Sequence, residues 1–247
     1  MRLPAAAAVP AARPNLPGLP QRPYRSFAGG AVQLWLARVG ECLEVLERHG
    51  QARLSDAERA HCARFADPAD RHRVLLARLL LRRALSHGYP LAPADWRFAQ
   101  DHQGKPALAW PALPVTFNLS HSGDVVICAL GRHCDLGVDV ERVAPRERLL
   151  ALARRFFSAD EYARLGGLAG AAQCEVFYDI WTAREAYFKA LGCGLAGFSD
   201  PESSAVAVAT ALGWQWWRVA EIPDYRIALC WRTNVLAAEC VGSRTGR

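Results

Sequence analysis

The sequence predicts an α+β protein, as one large domain or as two similar subdomains, and three observations bear on that prediction. Residues 69–87 and 171–191 each read as one long helix, and they occupy similar places in the two halves of the chain. In each half helices are accompanied by short strand-like runs, so an order of helices then strands recurs without a clear sequence repeat. At 247 residues, 51% of them hydrophobic and 22% charged, the chain is long enough to bury a substantial core. No apolar run approaches the roughly 20 residues that a membrane-spanning helix needs.

Residues 1–30 are rich in Pro, Ala and Gly and read as a flexible tail, or as a stretch upstream of the natural start. Their apolar run is too short, and too soon broken by Pro10, for a signal peptide. Residues 31–37 alternate as a strand and begin the first subdomain, expected over 31–133. Ser55-Asp-Ala-Glu58 is a capping-box pattern that opens a helix to about Phe65. Asp67-Pro68 starts the long helix to His87; its apolar residues face a core, and Arg71, Arg73, Arg78, Arg82 and Arg83 read as a mostly solvated face. Short strands are expected at 96–98 and 115–119, and a buried one at 124–130 that forms a hairpin with 135–141.

The second subdomain is expected over 134–240, followed by a tail at 241–247. Residues 145–157 read as helical, and Ser158-Ala-Asp-Glu161 is a second capping box opening a helix to Leu165. After a Gly-rich link the long helix runs from about Ala171 to Leu191, with Phe177, Tyr178 and Trp181 on its packed side and Gly192 as its stop. Residues 205–209, 214–219 and 225–231 read as three antiparallel strands.

The net charge of +6 and a pI near 9.0 favour an acidic partner. A nucleic acid is disfavoured, because the cations are spread along the chain and no nucleic-acid motif is present. Eight cysteines form no Cys-x-x-Cys and no tight Cys/His cluster. They read as mostly buried reduced thiols of a cytoplasmic protein, with a disulfide framework as the alternative.

Three stretches hold the candidate chemistry. Within 181–192, Glu185 and Lys189 are four residues apart and share a helix face, with Arg184 beside Glu185. On residues 136–141 Leu136, Val138 and Val140 point one way while Asp139 and Glu141 point the other. Adjacent carboxylates repel, and a divalent cation relieves that; Mg²⁺ characteristically takes one or two carboxylates plus substrate phosphates. Gly104-Lys105-Pro106 is a turn with a cation at its tip, and Phe117-Asn-Leu-Ser-His-Ser122 ends a strand in hydrogen-bonding groups. Each stretch also has a plain reading: a surface ion pair, an acidic strand face, a strand-to-turn transition, a structural histidine. Of the 30 Lys and Arg residues only Lys105 and Lys189 are lysine, and both fall in these stretches. A compact ammonium at both sites suits phosphate oxygens.

In this order the stretches resemble the 4'-phosphopantetheinyl transferase superfamily in its longer, Sfp-type form. The marks are Gly-Lys-Pro, Phe-Asn-x-Ser-His-Ser, Gly-(Val/Ile)-Asp-x-Glu and Trp-x-x-Lys-Glu-Ala-x-x-Lys. Residues 155–162 and, more weakly, 73–76 add to the likeness, which covers roughly residues 30–235. The family's helix has Lys where this chain has Arg184, and Sfp-type members carry lysines where this chain has Glu58 and His61.

The resemblance implies two small, mainly antiparallel sheets, each packed on a long helix, in a pseudo-two-fold pair with coenzyme A between the halves. It implies a monomer that moves the 4'-phosphopantetheine arm of coenzyme A to a serine of an acidic acyl or peptidyl carrier protein. On that reading Asp139, Glu141 and Glu185 hold Mg²⁺, with Glu185 alternatively the general base. Lys189 and Arg184 act on the phosphates, and Arg73, Lys105, Ser120, His121 and Lys189 bind coenzyme A. A catalytically silent module that binds coenzyme A or the carrier is the alternative.

Overall fold

The computed structural model describes residues 18–100, 106–193, 205–219 and 221–233, and from the centre outward it has four layers. Two antiparallel sheets face each other, and each carries a long helix on its outer side. The first sheet has the order β1 (Arg25–Phe27), β2 (Val32–Arg38), β6 (Val125–Arg132), β5 (Val115–Ser122). The second has the order β7 (Cys134–Arg142), β9 (Tyr225–Thr233), β8 (Gln215–Val219). A separate pair joins β3 (Arg97–Gln100) to β4 (Pro106–Trp110).

The layering follows from alternation along the strands. On β6, Val125, Ile127 and Ala129 enter the core between the sheets, while Val126, Cys128 and Leu130 face the helix α3 (Pro68–Gly88). On β7, Leu136, Val138 and Val140 enter the same central core, as the period-two pattern predicts. The outer face of the second sheet receives α6 (Gly170–Leu191), whose Phe177, Ala183 and Ala186 pack with Ala228 and Cys230 of β9. The described residues also include shorter α-helices: α1 (Val39–Val45), α2 (Asp56–Ala63), α4 (Leu149–Phe156), α5 (Ala159–Gly166) and α7 (Ala205–Ala211).

Both capping boxes form, at Ser55/Glu58 and at Ser158/Glu161, and Gly192 ends α6 in the left-handed region at φ 76°. The seven cysteines among the described residues are free thiols, five of them buried. Among the described residues no helix is long and apolar enough to cross a membrane.

Five expectations are corrected. The hairpin 124–130/135–141 does not form: β6 is already paired on both edges, by β2 and β5, so β7 turns at His133 and pairs with β9 instead. Residues 205–209 are helical, because alternating Ala and Val carries the high helix propensity of Ala as well as a strand-like alternation. The helix expected from residue 145 begins only at Leu149. Of the flexible tail expected over 1–30, residues 18–30 are instead part of the fold: Leu19 is buried, Arg83 donates to the Gln21 carbonyl, and β1 pairs with β2; residues 1–17 lie outside the described residues. Arg82 and Arg83 are buried rather than solvated; Arg82 donates to Glu58 and to the Pro93 and Trp96 carbonyls. The expected 241–247 tail lies outside the described residues.

Candidate active site

The site begins at a seam between sheets. β5 and β7 are edge strands lying side by side, and no backbone ladder joins them. Alternate side chains of β5 do that work: Asn118 Oδ1, Ser120 Oγ and Ser122 Oγ accept the N–H groups of Val138, Val140 and Arg142 at 3.0, 3.4 and 3.1 Å. A hydroxyl both accepts and donates. Ser120 therefore also donates to Asp139 Oδ1 at 2.7 Å, and Ser122 to Glu141 Oε2 at 2.8 Å. The alternation Asn-x-Ser-x-Ser thus holds β7 in place and aims both of its acids.

The other wall is α6, which lies against β7 at Gly137. A Cβ there would stand 2.0 Å from the Ala186 carbonyl oxygen and 2.6 Å from the Ala190 nitrogen. Only glycine admits this approach, and it sets Glu185 and Lys189 over Asp139 and Glu141. Lys189 Nζ donates to Asp139 Oδ1 at 2.6 Å, to Ser120 Oγ at 3.0 Å and to the Val138 carbonyl at 3.5 Å. Ser120, His121, Asp139, Glu141, Glu185 and Lys189 line one cavity of about 420 Å³.

Electrostatics in this cavity are those of crowded acids. Burial raises the pKa of Glu185 to about 7, with Asp139 and Glu141 adding to the rise and Lys189 opposing it. Glu141 is also raised, by burial first and then by Asp139. His121 is lowered, by burial first and then by Arg73 and Lys189, which favours its neutral form. Asp139 Oδ2 is buried without a hydrogen-bond partner. An orphaned carboxylate oxygen beside two acids with raised pKa values is an oxygen donor set that suits a hard divalent cation. Among the described residues, however, no three His, Cys, Asp or Glu side chains are already gathered tightly enough to hold an ion.

Three predicted residues are not in this group. Arg184 points into the protein: its side chain is 1% exposed and Nη1 donates to Glu161 Oε2 at 2.8 Å. Consecutive helix residues are about 100° apart, so when Glu185 faces the cleft its neighbour faces α5. Arg184 thereby ties α6 to the capping box of α5, and its side chain lies away from the cavity wall where a role on the phosphates was expected. Arg73 binds Asp70 and the Gly123 carbonyl, which ties α3 to the turn after Ser122 and leaves it beside His121 rather than in the cavity wall. Lys105 lies outside the described residues. Sequence reasoning passed over Arg78 and the place of His61, which both line the cavity; the periodic cations of α3 gave no sign of which one meets a cleft.

Comparison with known proteins identifies the family. A family model described as the 4'-phosphopantetheinyl transferase superfamily matches residues 135–230. A second, described as 4'-phosphopantetheinyl transferase, N-terminal, matches residues 48–132. The chain is 33% identical over 186 residues to the 4'-phosphopantetheinyl transferase HetI of Nostoc sp., covering 74% of this chain and 78% of HetI. It is 39% identical over 144 residues to the 4'-phosphopantetheinyl transferase Sfp of Bacillus subtilis, covering 58% of this chain and 62% of Sfp. A phosphopantetheinyl transferase of Thraustochytrium sp. is 32% identical over 199 residues, covering 72% of this chain and 69% of that protein. The match to Sfp and to a Synechocystis relative spans only about three fifths of those proteins, 62% and 60%. With most of HetI matched, and with both family models aligned in order along one chain, this protein belongs to the 4'-phosphopantetheinyl transferase superfamily, in its longer, Sfp-type form.

Proposed function

We propose that the protein transfers the 4'-phosphopantetheine arm of coenzyme A to a serine hydroxyl of an acyl or peptidyl carrier protein, releasing adenosine 3',5'-bisphosphate. The observation that carries this reading is the meeting of Asp139 and Glu141 from β7 with Glu185 and Lys189 from α6 around one cavity. In the reaction the serine oxygen bonds to the diphosphate phosphorus that bears the pantetheine arm. The bond from that phosphorus to the bridging oxygen breaks, and the electron pair leaves with the nucleotide.

Two things are required of the protein: charge neutralisation on the phosphates and removal of the hydroxyl proton. Lys189 supplies a fixed ammonium, oriented by Ser120 and the Val138 carbonyl. His121 offers a hydrogen bond to phosphate oxygens, Ser120 is proposed to act beside it by orienting Lys189 and Asp139, and Arg73 adds positive potential behind His121. Lys105 is proposed as a further phosphate contact. Asp139, Glu141 and Glu185 would hold Mg²⁺, which when bound supplies positive charge at the diphosphate. Glu185, with its pKa near 7, either completes that donor set or takes the serine proton.

An acidic carrier suits the net charge of +6. Both walls of the cleft come from one chain, which supports a monomer, and the free thiols of the described residues accord with work in the cytoplasm. The test is chromatographic: adenosine 3',5'-bisphosphate should appear only when coenzyme A, apo carrier and Mg²⁺ are all present, and chelation should stop it. Coenzyme A binding without nucleotide release on any carrier would instead identify a silent binding module.

A further inference from the structure

The strand that carries Ser120 and Ser122 ends in a turn, and at that turn the two halves of the cleft meet. Gly123 takes the left-handed region there, at φ 55°. From the first half, Arg73 Nη1 on α3 donates to the Gly123 carbonyl at 3.1 Å. The start of α1 reaches the next residue: the Val39 N–H donates to the Asp124 carbonyl at 2.8 Å, and the Gly40 N–H to Asp124 Oδ1 at 2.9 Å. From the second half comes Tyr225, the first residue of β9. Its hydroxyl oxygen accepts the Asp124 N–H at 2.9 Å, across 101 residues of sequence. A Cβ on Gly123 would stand 2.6 Å from that oxygen, so the turn is packed directly onto it. Tyr225 is otherwise a core residue, 5% exposed between the two sheets, with the Arg38 guanidinium 5.9 Å from its ring centre. Phenylalanine would fill the same space; the hydroxyl serves the turn.

What the turn controls is Ser122. Tyr225 pairs with Arg142 across β7 and β9, and Ser122 Oγ accepts the Arg142 N–H at 3.1 Å. Ser122, Asp124, Tyr225 and Arg142 thus close a ring around the end of β7. The same Ser122 hydroxyl donates to Glu141 Oε2 at 2.8 Å. Among the described residues no other side chain hydrogen-bonds Glu141, whereas Asp139 has both Ser120 and Lys189. The direction of Glu141 therefore depends on Ser122. We propose that Tyr225 is a positioning residue of the reaction: from outside the cavity its hydroxyl holds the turn that aims Ser122, and Ser122 aims Glu141 into the cation-binding set. The inference rests on the function proposed above, in which Asp139, Glu141 and Glu185 are that set. Outer groups that orient a ligating carboxylate contribute about 10- to 100-fold to cation affinity.

The test reads cation binding apart from catalysis. Mn²⁺ is titrated into the full chain with coenzyme A and no carrier, and free Mn²⁺ is followed by electron paramagnetic resonance. Ser122→Ala should weaken Mn²⁺ binding about 10- to 100-fold, and Tyr225→Phe, which keeps the ring and acts one step further out, about three- to tenfold. Ser122→Thr keeps the hydroxyl and should recover most of the affinity lost in Ser122→Ala. Adding Tyr225→Phe to Ser122→Ala should cost nothing more, because two residues that act through one contact are not additive. With an apo carrier present, the Mg²⁺ concentration for half-maximal rate should rise by the same factors, and added Mg²⁺ should restore the rate. Tyr24→Phe, a tyrosine packed on Trp217 away from the turn, should change nothing. Wild-type Mn²⁺ affinity in Tyr225→Phe, or an additive loss in the double variant, would overturn the inference and leave the proposed function standing. A wild type that takes up no Mn²⁺ and moves no arm onto any carrier would remove the proposed function itself, and this inference with it.

Discussion

Replacing Gly137 by alanine tests how closely the geometry of the site depends on one missing side chain. The new Cβ would lie 2.0 Å from the Ala186 carbonyl oxygen and 2.6 Å from the Ala190 nitrogen, and both obstacles are backbone of α6. Neither atom can rotate away, so relief requires α6 to move outward from β7 by about 1 Å or more, at an overpacking cost of about 1–3 kcal/mol. For a chain of this size that lowers the melting point by about 3–10 °C. The larger consequence is chemical, because α6 carries Glu185 and Lys189 while β7 carries Asp139 and Glu141. A displacement of about 1 Å costs about 10²-fold in rate. Thermal melting and carrier-modification kinetics would be run together on Gly137→Ala, with Gly88→Ala as control, since a Cβ on Gly88 meets nothing within 4 Å. Wild-type melting and wild-type rate in Gly137→Ala would refute the claim that the helix approach sets the site.

Three further outcomes are expected. Glu185 holds its proton up to about pH 7 in the folded protein against 4.5 ordinarily, so in that window the native state binds more protons and its stability falls as pH rises. Glu185→Gln should therefore melt higher than the metal-free wild type, by a gap that widens from pH 5 to pH 7.5; a gap that does not change with pH would contradict the burial of this carboxyl. Arg184→Ala breaks a buried pair with Glu161 and should cost about 3–5 kcal/mol of stability while the folded fraction keeps its kcat; loss of kcat at an unchanged melting point would return Arg184 to the chemistry. Asn118→Ala strands the buried Val138 N–H and should cost about 1–3 kcal/mol, with faster hydrogen exchange at that amide. Protection equal to wild type would show that the β5–β7 seam does not depend on side chains.

Local signals in the sequence carried far. Both capping boxes are short-range patterns whose partners lie three residues apart, and both form. The period-two pattern of 136–141 correctly separates the core residues of β7 from its acids, because the sheet face is a purely local property. What was hidden depended on distant partners. The sequence neighbour of β6 is β7, yet β7 pairs with β9 about ninety residues later, since both edges of β6 are taken. Arg82 and Arg83 look like surface cations, and Arg184 like a cleft cation, until Glu58, Gln21 and Glu161 are seen beside them. Asp139, Glu141, Glu185 and Lys189 were recognisable as a group through the family pattern; the reasons for Gly137, Asn118 and Ser122 became visible only once α6 and β5 were in place against β7.

The central claim is that the acids and the lysine of this cleft move a phosphopantetheine arm onto a carrier serine. Its most direct test is intact-mass spectrometry of a panel of apo carrier proteins incubated with the enzyme, coenzyme A and Mg²⁺, with Asp139→Ala and Glu185→Ala alongside. The account predicts that a carrier gains the mass of one phosphopantetheine arm with the wild type and not with either variant. An arm transferred as fast by folded Asp139→Ala or Glu185→Ala as by the wild type would contradict it.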